Sequence, residues 1–227
     1  MINKFTILGE RCSGTVFLEQ TILHNFDLTL TWEYGWKHFF GFNEYKDSDD
    51  TLFIGIVRDP YSWINSLYRK PWHLEYFINE DEFLNREFYS RNSEKRWRHM
   101  WPDVKGMTQR LNEEIMEDRN LFTGDRYKNI FECRGIKLYY LMEEMPKKVD
   151  HYILIRYEDL RDSFEETLTY LQQTFNLPTK EGFPNLIKNY KKTTKKFKIN
   201  KEFTFTKEEI NNHPDFNKEV EKKIKYL

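Results

Sequence analysis

Apolar and polar positions fall into alternating blocks along the 227 residues, and the blocks read as strands separated by helices. The first apolar run, Lys4 to Leu8, leads into the loop Gly9-Glu10-Arg11-Cys12-Ser13-Gly14. A helix-like segment follows over residues 16–25, where Val16, Leu18, Ile22 and Leu23 give an imperfect buried face. A second strand is expected over residues 28–32. The strongest strand signal is Thr51-Leu52-Phe53-Ile54-Gly55-Ile56-Val57, an unbroken run suited to a parallel strand covered on both faces. Asp59 then offers an N-cap and Pro60 a first helical residue for a helix reaching about Lys70. Residues 79–125 are charged and weakly periodic around Trp97, Trp101 and Pro102, and read as an insertion over the carboxyl ends of the strands. Helix returns from 129 to 145, with Pro146 as its expected stop. Residues 152–157 form another buried-strand candidate. Ser163-Phe164-Glu165-Glu166 reads as a capping box, ahead of Phe164, Leu168, Leu171 and Phe175 at amphipathic spacing and a stop at Pro178. A second capping box, Thr206 to Glu209, begins a later helix.

Strands alternating with helices predict an α/β fold: a mainly parallel, P-loop-like sheet flanked by helices in three α/β/α layers. The expectation is one domain spanning 1–227, with the insertion over the site. Ligands of such sheets sit beyond the carboxyl ends of the strands. Three segments leave those ends: the glycine loop, Lys37-His38, and Arg58-Asp59-Pro60.

Composition narrows the partners. Charged residues make up 32% and aromatics 17%, and the formal net charge is -1, which gives no global attraction to nucleic acid or anionic membrane. Seven lysines fall between Lys188 and Lys201, but only Tyr190 and Phe197 interleave with them, too few for a base-stacking platform. No apolar run approaches bilayer-spanning length, no secretory leader pattern opens the sequence, and Cys12 and Cys133 make no disulfide framework. A cytoplasmic protein is the expectation, with neither membrane nor nucleic acid as partner. No grouping of His, Cys and carboxylates has convincing zinc spacing, and no metal is expected.

Gly9 and Gly14 have the spacing of a Walker A loop, yet Thr15 and Val16 stand where that motif has Lys and then Ser or Thr. The loop retains an anion cradle of backbone N–H groups and a helix N-terminus, and lacks the hydroxyl that would hold Mg²⁺. Arg11 is the candidate replacement cation. Cys12 is no phosphatase nucleophile, because the Arg required six positions later is Leu18. Arg58 and Ser66, eight positions apart, are candidates for a second phosphate, against a surface ion pair and an ordinary helix residue. Lys37 and His38 offer a charge stabiliser and a general base, against a surface lysine and a histidine packed among aromatics. Glu158 and Asp159 fit a cap of the next turn better than a catalytic pair.

In this order the motifs resemble those of sulfotransferases that use 3′-phosphoadenosine-5′-phosphosulfate (PAPS). Cys12-Ser13-Gly14-Thr15-Val16-Phe17 is similar to the family's 5′-phosphosulfate loop, usually K-S-G-T-T-W, and Arg58 through Ser66 is similar to its 3′-phosphate motif. Arg156-Tyr157-Glu158-Asp159-Leu160 contains the family's Y-E-D-L segment. Lys37-His38 falls where many members carry a catalytic Lys and His. The G-E-R-x-S-G-T opening and Y-G-W-K-H segment look like a short microbial and viral branch. Cys12 departs from the usual Lys, Val16 from the second Thr and Phe17 from Trp, and the family's R-K-G segment has no clear copy, leaving lysines near Lys195 as candidates.

The resemblance implies sulfuryl transfer from PAPS, without a metal, to a hydroxyl or amine of a small-molecule or glycan acceptor, leaving the desulfated product PAP. His38, Lys37 and Arg11 would be catalytic, with Glu33 as a reserve base. Arg11, Cys12, Ser13, Gly14, Thr15, Val16, Phe17, Arg58, Ser66 and Tyr157 would bind the donor. The alternatives are a P-loop nucleoside or metabolite kinase and a catalytically inactive nucleotide-binding protein of the same fold.

Overall fold

The strands β1 (Lys4–Leu8), β2 (Thr29–Leu30), β3 (Thr51–Val57) and β4 (Tyr152–Arg156) form one parallel sheet in the order β2-β1-β3-β4. A computed structural model provides the coordinates and describes residues 1–71, 73–74, 79–91, 113–187 and 203–227. Trp97, Trp101, Pro102 and the Lys188–Lys201 cluster lie outside the described residues. In register, Ile7 stands beside Ile54, Leu8 beside Gly55, and Val57 beside Arg156. All seven residues of β3 are buried, as its unbroken apolar run requires.

Alternate residues of the strands feed two cores. Phe5, Ile7, Leu52, Ile54, Ile56 and Ile155 pack with helices α1 (Thr15–Asn25), α6 (Tyr157–Asp162) and α7 (Phe164–Phe175). Leu8, Phe53, Val57 and Leu154 point the other way, towards α4 (Ile130–Tyr139), the π-helical turn Tyr140–Glu144 and α5 (Met145–Lys148). Helices therefore cover both faces. A third cluster contains no strand residue and joins α2 (Pro60–Arg69), α3 (Glu80–Asn85), α4 and α8 (Lys207–Asn212). Buried Asn65 of α2 ties that cluster to the chain after the lysine-rich stretch: its amide donates to Phe205 O, and its carbonyl accepts from Thr204 N and Phe205 N. Among the described residues, no helix is long and apolar enough to cross a membrane.

Local chemistry explains most boundaries. Asp59 caps α2 by accepting from Ser62 N at 2.8 Å, with Pro60 at the first helical position. Asn129 caps α4 through Phe131 N and Glu132 N, and the Thr206/Glu209 capping box is present. Three expectations need correction. The second strand is only two residues long, because the chain turns at Gly35, whose φ is 101° and whose N–H reaches back to Trp32 O. Pro146 does not stop its helix: the wider Tyr140–Glu144 turn precedes it, and α-helix resumes through Lys148. Ser163 makes no side-chain cap; α6 runs into α7, and Thr167 Oγ1 bonds Asp159 O across the joint.

Candidate functional site

The glycine loop leaves the carboxyl end of β1 under close restraint. Gly9 lies so near β3 that an added Cβ would meet Ile56 at 2.7 Å, and its N–H donates to Lys37 O at 2.8 Å. Ser13 closes the turn, its N–H and Oγ both donating to Glu10 O. Cys12 (φ 65°) and Gly14 (φ 98°) are both left-handed, and α1 begins immediately after Gly14. The opening of an α-helix leaves its first N–H groups, here those of Thr15 and Val16, without intrahelical acceptors. Thr15 is buried, whereas Val16 and Phe17 are half-buried. Gly14 has no room for a side chain, since its Cβ would stand 2.5 Å from the Tyr157 ring. Tyr157 is thus the wall behind the loop, edge-on to Phe17 and beneath the Arg58 guanidinium.

Arg11 occupies a different place from the one its position in the loop suggests. Its side chain is 2% exposed, bonds Glu10 Oε1 at 2.7 Å and Asp118 Oδ2 at 3.1 Å, and donates to Ser90 Oγ. Lys137 completes the group by bonding Glu10 Oε2, Asp118 Oδ1 and His38 O. Two carboxylates and two cations sealed inside the protein satisfy one another, which an isolated buried charge could not do. Burial alone would raise the Glu10 carboxyl, but Arg11 and Lys137 outweigh it and hold the group well below the ordinary range. The Arg11 guanidinium is therefore a brace inside the fold, not a cation offered to the mouth of the loop.

Lys37 is corrected in the same sense. Its ammonium is buried between the Trp32 and Trp36 rings and paired with Glu19 of α1 at 2.9 Å. His38 alone of this pair faces the loop. Its Nδ1 lies 2.7 Å from Gly9 O, and a carbonyl only accepts, so Nδ1 carries the hydrogen and Nε2 keeps a lone pair. Burial, then the Lys37 cation, push the imidazole's pKa well below 6.5, so it is neutral at neutral pH. Glu33 is exposed and drawn towards Lys4, at the end of β1 opposite the loop, 3.9 Å from its ammonium. This placement sets the Glu33 carboxylate apart from the glycine loop, whereas His38 contacts that loop.

Arg58 and Ser66 both contact Cys12, Arg58 at its backbone carbonyl and Ser66, through its own backbone carbonyl, at its thiol. Arg58 Nη1 donates to Cys12 O at 2.9 Å, while Cys12 Sγ lies 3.7 Å from Ser66 O on α2. Arg58 Nε is buried without a hydrogen-bond partner, and the half-buried Ser66 hydroxyl makes no hydrogen bond among the described residues. Burial raises the Cys12 thiol's pKa, which keeps it protonated and unreactive at neutral pH.

Sequence reasoning missed Glu10, Asp118 and Lys137. One signal was available for the lysine: Ile130, Cys133, Lys137 and Leu141 share the apolar stripe of one helix, where a solvated lysine does not belong. Asp118 gave none, because its partners lie 107 and 19 positions away. No protein-family model, curated protein or solved structure matches this chain.

Proposed function

We propose that this chain is a PAPS-dependent sulfotransferase with a P-loop-like donor site. One observation carries the reading: His38 and Arg58, from separate segments, grip the two sides of one glycine loop, at Gly9 O and Cys12 O. A candidate base and a candidate phosphate ligand thus share a rim with the opening of α1. The buried Nε of Arg58 and the Ser66 hydroxyl, both without a hydrogen-bond partner among the described residues, fit a further phosphate beside Cys12, whose thiol approaches the Ser66 carbonyl. PAPS, when bound, would supply the sulfuryl group and depart as PAP.

The amides of Gly14, Thr15 and Val16 would hold the 5′-phosphate, using the helix N-terminus in place of a metal. Arg58 and Ser66 would hold the 3′-phosphate, with the Phe17 ring beside the adenine. His38 Nε2 would take the proton from the acceptor's hydroxyl or amine, while the Nδ1–H bond to Gly9 O keeps the ring oriented. Arg11 and Lys37 would act through position only, holding the loop and the His38 segment against the core. The acceptor would enter beside Trp36, Phe39 and Ile115, where the described end of the insertion packs against the His38 segment.

Calorimetry with PAP and AMP in EDTA tests this. Tighter binding of PAP is expected, because Arg58 and Ser66 would read the phosphate that AMP lacks. Equal affinities would remove the assignment. Transfer that needs ATP and is abolished by EDTA would establish the kinase alternative instead.

A further inference from the structure

Two chains of hydrogen bonds run from one distant segment to adjacent backbone atoms of the Arg58-Asp59 corner. In the first, Glu221 of α9 (Lys218–Lys223) accepts from Arg134 Nε at 2.5 Å and from Nη2 at 2.9 Å, and Arg134 Nη2 also donates to Arg58 O at 2.9 Å. In the second, Tyr226 Oη donates to Glu158 Oε2 at 2.7 Å, and Glu158 Oε1 accepts from Asp59 N at 3.2 Å. The two starting points are themselves coupled, since Tyr226 N donates to Glu221 O. Arg134 and Glu221 are buried, and the Arg134 guanidinium lies 5.0 Å from the centre of the Trp63 ring. Trp63 in turn donates to Arg11 O in the glycine loop.

Among the described residues, the Arg58 side chain has Cys12 O as its hydrogen-bond partner and the Tyr157 ring as a neighbouring face. The direction of its guanidinium therefore depends on how firmly the backbone of residues 58 and 59 is held. A carbonyl and the next amide, each fixed by an ionic side chain, hold the peptide plane between them.

We propose that Glu221 and Tyr226, acting through Arg134 and Glu158, are positioning residues that aim Arg58 at the donor's 3′-phosphate. The segment 218–226 would thus set how strongly the site distinguishes a 3′-phosphorylated adenine nucleotide from one without that group. This inference rests on the proposed function. A role in stability alone would weaken every nucleotide equally.

The experiment is calorimetry of PAP and AMP on the full chain, comparing wild type with Glu221→Gln and Tyr226→Phe. Removing the carboxylate charge behind Arg134 should weaken PAP about tenfold, and removing one hydroxyl about threefold, with AMP affinity unchanged. Parallel losses for both nucleotides, or no change in their ratio while wild type favours PAP, would overturn the inference and leave the donor assignment standing. A wild type that does not favour PAP would overturn both. If Glu221→Gln fails to fold, Tyr226→Phe, which loses one hydroxyl, decides the question.

Discussion

His38 shows how far one residue's chemistry depends on its surroundings. The Gly9 carbonyl selects the tautomer, and burial with the Lys37 cation keeps the ring neutral. If His38 is the base, its unprotonated form is the active one, and activity is lost as pH falls through its depressed pKa. The expected kcat/KM profile is flat from pH 8 to about 6.5, the ordinary histidine value, and declines only in more acid solution. An inflection at or above that pH would contradict the assignment. His38→Ala should lower kcat by about two to four orders of magnitude while PAP still binds; an unchanged rate would remove the residue from its role. Gly14 is a residue-scale constraint of another kind. Gly14→Ala places an L side chain at φ 98° and a methyl group 2.5 Å from the Tyr157 ring. The backbone alone costs about 1–2 kcal/mol, and the Phe17–Tyr157 contact must shift as well. Thermal melts should show the loss, with nucleotide binding impaired beyond it.

At the scale of elements, the loop, the insertion and α4 are welded by one buried charge group. Glu10 and Arg11 come from the loop, Ser90 and Asp118 from the two described sides of the insertion, and Lys137 from α4. Removing one member leaves an opposite charge sealed away from water. Lys137→Met should therefore destabilise the fold by about 3–5 kcal/mol, and chemical denaturation would measure it. A change within about 0.5 kcal/mol would mean the group is open to solvent. The same element explains why Pro146 is tolerated: the wider turn before it relieves the clash that proline imposes on a preceding carbonyl.

Across the whole molecule, acid should act in two stages. Burial, with Arg11 nearby, depresses His73 to about 4. Its unfolded form takes a proton near pH 6.5, so the folded state loses relative stability as pH falls from about 6.5 towards about 4. Above that window the contribution is complete. His38 acts with the same sign. Glu10, whose folded pKa lies well below that of a free carboxylate, adds a second loss below about pH 4.5. Melting temperature should decline from pH 6.5 downward, and His73→Asn should flatten the first part of the decline. A melting temperature constant between pH 7 and 4.5 would show that both imidazoles titrate freely.

The chain pattern alone determined the four strands, their separation by helices, the Asp59 and Thr206 caps, and the loop beyond β1. Each of these is written in neighbouring residues: an unbroken apolar run, a carboxylate or hydroxyl three positions ahead of an amide, two glycines five positions apart just after a strand. Which cations are presented and which are consumed was decided only by tertiary packing. Arg11 and Lys37 carry the same charge on paper as Arg58. Asp118 of the insertion joins the neighbouring Glu10 on Arg11 and Glu19 of α1 claims Lys37, while Arg58 keeps a buried nitrogen without a hydrogen-bond partner among the described residues. Charge pairing acts through space over a few ångströms, and sequence distance along a folded chain says nothing about that separation.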